Sequence, residues 1–524
     1  MKIVFAGDIS FDWLRPPGWG QVLASLFARS PLPADLTRDL DKLAGVNGRS
    51  GHKLQTQALM LGRKLHEALR PAADGADAFC VNLECVLSSA GTALEDKKYT
   101  LQAAPHYVQT LKLLGVSHVC LANNHILDYG LPALADTRAL LERAGITGLG
   151  LRFAQAARQE PVVVERNGER AALLNYVDPG IIDPNPEHYL SCDPSPFPLD
   201  PDRVLADIKA AARKGAVIVV AHWGEEWSFL ESDTQRSLAR AMIDAGAAAV
   251  VSHHTHLAGS YEEYRDGLIT YGLGNLFMMV PGFSMLRGCD RLMVELDIAR
   301  DKLAGYRLIP LSNDNNEHPQ LAQWPVASMQ PGYLPSGLAG GEAVVDTYVH
   351  LDQAQVRYDG NGPSEQAVWA NEHFAPFEAV NGKLPVGPGW RIPGKTWSGV
   401  ARSREQCGRE FAEVCAAHLD GPGKLAITWE LPAGIRAVRF LYGYPQYMRM
   451  LGTVIPAELS LTLNGRPITP TIAPEAVSGW QVDDLSACCD RSAPGRLEVV
   501  VSNRTERQAF CCFRVLADGE PPAA

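Results

Sequence analysis

Short apolar runs alternate with longer amphipathic stretches from residue 2 to about residue 310. Strand-like runs fall at 2–6, 78–82, 117–121, 161–165, 171–176, 216–221 and 248–252, with later ones near 268–272, 291–297 and 304–310. Helical periodicity occupies 55–70, 105–114, 131–144, 202–214 and 233–246. Pro132 near the start of the third helix and Gly145 just past its end are the expected punctuation. Strand then helix, repeated, predicts an α/β fold with a largely parallel sheet and helices packed outside it.

Two stretches break the rhythm. Residues 9–54 and the proline-rich 178–201 read as long loops, serving either as lids or binding loops or as irregular surface packing. A third break, 313–342, contains the Pro/Gly-rich MQPGYLPSGLAGG and reads as a linker. It divides a domain at 1–312 from a mostly-β domain at 343–524. In the latter, short strand-like segments at 425–430, 436–442, 458–463, 495–502 and 509–516 predict a sandwich or jelly roll. Asn464-Gly465 is a hairpin signal, and 403–418 reads as a helix.

Polar clusters follow the apolar runs. Gly7-Asp8, Asn82-Leu83-Glu84, Asn123-Asn124-His125, His222-Trp223-Gly224 and Ser252-His253-His254-Thr255-His256 each stand where a predicted strand ends. In an open α/β sheet, loops at the carboxyl ends of strands converge on one crevice. Carboxylate, carboxamide and imidazole donors gathered there suit two divalent transition metals side by side. Such metals lower the pKa of a bridging water and so generate a hydroxide nucleophile.

Composition narrows the choices. The chain has 524 residues, more than one ordinary core holds, and a formal net charge of -11. That charge, with no clustered basic stretch, argues against nucleic acid as a partner. No run of eighteen apolar residues predicts a membrane span. The apolar start of the sequence is too short for a signal peptide, and the eleven cysteines then suit a reduced, cytoplasmic setting.

Seven motifs in order resemble the poly-γ-glutamate capsule biosynthesis protein family, within the calcineurin-like metallophosphoesterase superfamily. They are Gly7-Asp8, NLE at 82–84, KKYTLQAAP at 97–105, LANNHILDYG at 121–130, HWGEEW at 222–227, IDAGAAAVVSHHTHLAG at 243–259 and YGLGNLF at 271–277. The resemblance covers roughly 1–280. It implies a four-layer α/β/β/α sandwich holding two divalent metal ions (manganese, iron or zinc). Asp8 and His256 would bind one ion, Asn124, His222 and His254 the other, and Glu84 would bridge them. His125 would be the free imidazole beside the leaving group, while Lys98, Glu226 and Asn275 would orient substrate or ligands. The sequence departs from the wider superfamily's Asp-x-His at Ser10, which removes one nitrogen donor. Glu84 stands for the superfamily's usual Asp, and Thr255 for the capsule family's usual Pro.

The first reading is therefore a metal-dependent hydrolase acting on a phosphate ester of a small-molecule or peptide-like substrate. A second keeps the metals but makes or breaks γ-glutamyl or peptide-like amide bonds in polymer or natural-product biosynthesis. A third is a non-catalytic metal-bearing scaffold whose β domain binds a polymer.

Other motifs read more plainly. GWRIPGKT at 389–396 matches a phosphate-loop pattern but has no buried strand before it, and Pro393 removes a backbone donor, so it reads as coincidence. The adjacent pairs Cys488-Cys489 and Cys511-Cys512 read as reduced core cysteines, because neighbours on a strand point to opposite faces. Trp369, Trp390, Trp397, Tyr442, Tyr444 and Tyr447 either line a groove or, more ordinarily, fill a β core.

Overall fold

Of the strand Lys2–Ile9, every residue after Lys2 is buried, Asp8 included. A strand buried on both faces belongs in the middle of a layered fold, and the neighbours bear this out. A computed structural model of the chain describes residues 1–11, 49–226, 228–278, 291–313, 319–322, 326–331, 333–335, 338, 343–360, 399–407, 410–420, 422–444, 454–469, 479–486, 494–505 and 508–519. The phosphate-loop look-alike at 389–396, Cys488-Cys489, Trp227, Trp369, Trp390, Trp397, Tyr447 and most of the loop 9–54 lie outside the described residues. The chain divides into two units, one holding most of residues 1–323 and the other residues 324–524 together with Glu226–Asp233.

In the first unit, one sheet runs in the order Pro319–Leu321, Lys302–Asn313, Arg291–Ala299, Lys2–Ile9, Ala78–Leu83, His118–Cys120 and Thr147–Leu149, with Asn275–Phe277 also paired to Lys2–Ile9. From Lys2–Ile9 to Thr147–Leu149 the pairing is parallel. The second sheet runs Tyr261–Tyr264, Gly267–Thr270, Ala247–His253, Ala216–His222, Glu169–Val177 and Val162–Arg166, and its four central strands are parallel. The sheets face each other, with Lys2–Ile9 against Ala247–His253 and Arg291–Ala299 against Glu169–Val177.

Helices cover the outer faces. Leu61, Leu65 and Leu69 of Arg49–Ala73, Leu111 of Val108–Leu114 and Leu134 of Gly130–Ala144 pack on Val4, Ala6, Val81 and Val119. Val204 and Ile208 of Pro201–Ala211, with Ala239 and Met242 of Asp233–Asp244, pack on Leu174, Val217, Val219 and Val250. Each such leucine or valine stabilises the fold by about 1.5–3 kcal/mol relative to exposure. The result is the expected α/β/β/α sandwich. Among the described residues no helix is long and apolar enough to cross a membrane.

The second unit is a β-sandwich. Gly399–Cys407, Glu410–Asp420, Gln508–Gly519, Ile435–Gly443 and Gln481–Asp484 form one sheet, with two short strands on Gln508–Gly519. Gln355–Gly360, Gly423–Leu431, Gly495–Asn503, Glu458–Leu463 and Arg466–Pro467 form the other. Asn464 and Gly465, with φ of 52° and 74°, make the tight turn that joins the last hairpin.

The helix expected at 403–418 is absent; two antiparallel strands occupy it. Ala412, Val414 and Ala416 enter one apolar cluster, while Cys415, Ala417 and Leu419 enter another. A strand apolar on both faces shows no alternation, so its alanine-rich text resembles a helix. Cys511 and Cys512 part in the same way, one into each cluster, and neither is in a disulfide. Tyr442 packs on the cluster of Cys415, Ala417 and Leu419, and Tyr444 is buried in that of Ala412, Val414 and Ala416, so both serve the core.

Candidate metal centre

Parallel register brings the polar clusters together. Asp8 pairs with Asn82 on one side and Asn275 on the other, and His222 pairs with His253. The strand Lys2–Ile9 bulges at Asp8. Gly7 permits the crossing at that bulge: a Cβ there would stand 1.8 Å from the carbonyl oxygen of Gly274. The donors thus end on four strands and one loop, at the carboxyl ends where the two sheets face one another.

Asp8 and Glu84 are fully buried. Asp8 Oδ1 accepts from Asn82 Nδ2 at 2.8 Å and lies 3.2 Å from His253 Nδ1. Its Oδ2 accepts the backbone N–H of His254 at 3.2 Å and lies 4.0 Å from His256 Nδ1. Burial opposes the Asp8 charge, but the hydrogen bond and charge of His253, the charge of His256 and the Asn82 amide outweigh it and hold the carboxyl below its ordinary value. Glu84 Oε1 lies 3.9 Å from His222 Nε2 and 4.0 Å from His125 Nε2. His222 Nε2 is 3.0 Å from Asn124 Oδ1, and its ring centroid is 4.9 Å from that of His254. Burial first, then the neighbouring imidazoles, push the His222 pKa well down. A neutral His222 keeps a lone pair for a cation.

Two groups of buried donors result: Glu84, His222 and His254, and Asp8, Glu84 and His256. Within each group the donor atoms lie within 4.8 Å of one another. Glu84 belongs to both. His254 and His256 hold left-handed backbone, φ 90° and 59°, which non-glycine residues adopt at a cost. The two rings lie with their centroids 6.2 Å apart. Buried anions among imidazoles in this arrangement fit divalent cations.

The remaining expected residues divide. Asn275 is buried, and its Oδ1 lies 2.9 Å from His256 Nδ1, so it orients that ring. His125 places Nδ1 2.7 Å from Asp128 Oδ2. Lys98 is exposed, its ammonium 4.8 Å from the centroid of the Tyr99 ring. Its neighbour Lys97 turns inward instead and pairs with Asp128. Glu226 is half-buried and groups with the second unit. Ser10 is buried, its hydroxyl without a hydrogen-bond partner among the described residues.

Sequence reasoning missed Asp128, Lys97 and Tyr189. Asp128 was accessible: it stands three residues after His125 in a turn, within reach of the same ring. Tyr189 lies on the helix Pro186–Ser191 inside the proline-rich stretch 178–201, and its hydroxyl accepts the N–H of Leu127 at 2.7 Å. Nothing local announces that contact.

Face-to-face sheets with oxygen and nitrogen donors at their carboxyl ends define a metallophosphoesterase-like fold. The chain belongs to the family described as bacterial capsule synthesis protein PGA_cap, whose profile matches residues 2–279. It is 33% identical to the capsule biosynthesis protein CapA of Bacillus anthracis over 227 residues, 41% of this chain and 53% of that protein. A probable polyglutamine synthesis accessory protein of Mycobacterium tuberculosis is 30% identical over 251 residues, 45% of this chain and 66% of that one. The chain spans about half the length of the first of these relatives. Among solved structures, the calcineurin-like phosphoesterase YfkN of Bacillus subtilis matches at 14% identity with a TM-score of 0.34, covering 60% of this chain and 90% of that one. A likeness of that size carries no weight for function.

Proposed function

We propose that this chain is a metal-dependent hydrolase of phosphate esters. The observation that supports it is Glu84, a buried carboxylate common to two donor groups. Asp8 and His256 would hold one cation with Glu84, and Asn124, His222 and His254 the other. Divalent cations supply Lewis acidity there and neutralise charge on a transferred phosphoryl group. The protein's own part is orientation and proton transfer. Asn82, His253 and the His254 N–H fix the Asp8 carboxylate, and Asn275 fixes the His256 ring. As an imidazolium, His125 donates Nδ1–H to Asp128 and keeps Nε2–H for the leaving oxygen.

The names of the relatives favour a second reading, in which the same centre serves γ-glutamyl amide chemistry. Incubation of purified, manganese-loaded protein with bis(p-nitrophenyl) phosphate and with γ-glutamyl peptides, followed by mass spectrometry, separates the two. Turnover of the phosphodiester supports the first reading; inert phosphoesters with cleaved or extended amides support the second. A scaffold without catalysis predicts neither, and predicts that His125→Ala changes nothing.

A further inference from the structure

Lysine is rarely buried, and a buried ammonium needs partners. The Lys97 side chain is 5% exposed. Its Nζ donates to Asp128 Oδ1 and to the backbone carbonyl of Asn124, and it lies 5.7 Å from the centroid of the Tyr189 ring. Each partner acts on the same loop. Asp128 Oδ2 receives His125 Nδ1 at 2.7 Å and the Leu101 N–H at 2.8 Å. The Tyr189 hydroxyl accepts from Leu127. Asn124 places its amide oxygen 3.0 Å from His222 Nε2.

Residues 121–129 contain no helix or strand, so no backbone ladder fixes their shape. Cross-links from elsewhere must do it. Lys97 is a cross-link that touches both functional ends of the loop: the peptide of Asn124 and the acid that orients His125. It also adds positive charge to a buried region rich in carboxylates.

We propose that Lys97 is the positioning residue of this centre. Its ammonium locks the Asn124 carbonyl and the Asp128 carboxylate into one frame. That frame sets where the Asn124 amide stands relative to His222, and where the His125 ring stands relative to Glu84. Lys97 touches no reacting atom. The proposal rests on the reading of the centre as a cation site, but not on which ester or amide is turned over.

The test uses the full-length protein stripped with chelator and titrated with Mn²⁺ by calorimetry, beside thermal melts and hydrolysis of bis(p-nitrophenyl) phosphate. Lys97→Met keeps length and packing over Tyr189 but removes the charge. It should weaken Mn²⁺ binding about 10–100-fold, the range for partners that orient ligands, while melting within a few degrees of the wild type. Hydrolysis should lose kcat rather than gain KM, and Lys97→Arg should recover most of the affinity. Should Lys97→Met fail to fold, Lys97→Gln is read in the same way. Wild-type affinity in Lys97→Met or Lys97→Gln overturns the proposal, as does an arginine variant no better than methionine. A wild-type protein that binds Mn²⁺ but leaves the phosphodiester intact sinks the phosphoesterase reading alone, and the affinity series still decides Lys97. A wild type that binds no Mn²⁺ overturns both.

Discussion

The backbone N–H of Ala122 donates to the side-chain oxygen of Asn175 at 2.9 Å, tying the loop that leaves one sheet to a strand of the other. Asn175 is fully buried and also donates from Nδ2 to the carbonyl of Val220. Gln159 holds the Asn175 backbone on both sides, donating to its carbonyl and accepting its N–H. The loop Asn123–His125 therefore starts from a point fixed by both sheets. Asn175→Ala leaves the Ala122 N–H buried without its partner, which costs about 1–3 kcal/mol. Urea unfolding should show that loss; an unchanged midpoint would mean the bond contributes nothing.

Asp128 and His125 act together if the ring needs its carboxylate. His125→Ala should lower kcat roughly 10²–10⁴-fold with unchanged metal content. Asp128→Asn should lower it too, and combining the two should add little. Additive losses in steady-state assays would show that Asp128 acts on turnover mainly through its Lys97 and Leu101 contacts rather than through the ring.

Much of this arrangement was legible in the sequence. The apolar runs at 2–6, 78–82, 216–221 and 248–252 became central strands, because a parallel strand covered on both faces must be continuously apolar. Their polar followers were visible because charge next to such a run is out of place. The strands at 399–420 were not legible, since burial on both faces erased the alternation that marks a strand. Nor was the inward turn of Lys97 over Lys98, because neighbouring lysines look alike until the fold chooses one. The Tyr189 contact to Leu127 spans 62 residues and has no local trace.

Glu295 gives a pH test of the fold apart from the centre. Burial opposes its charge, but hydrogen bonds from Arg307 at 2.9 Å and Lys2, with their charges, hold its carboxyl below the usual 4.5. The folded state then binds the proton less tightly than the unfolded state. Its contribution is complete above 4.5 and disappears as pH falls through the lower folded-state value. Glu295→Gln should be less stable than the wild type at neutral pH, and the gap should close on acidification below that window. A gap that persists in strong acid would assign the effect to packing.

Gly7→Ala should fail by overpacking. Its Cβ would meet the Gly274 carbonyl at 1.8 Å, and both groups are backbone, so neither can step aside cheaply. A loss of at least about 3 kcal/mol, or insoluble protein, is expected from expression and melting. Near-normal stability would mean that the crossing beside Asp8 is loose.

The central claim is that one buried carboxylate serves two cations, and metal analysis of Glu84→Gln beside the wild type tests it most directly. After manganese loading and desalting, the wild type should retain about two ions per chain, His254→Ala about one, and Glu84→Gln close to none, with all three still folded. A Glu84→Gln protein that keeps the wild-type metal content, or a folded wild type that keeps no metal, would contradict the account.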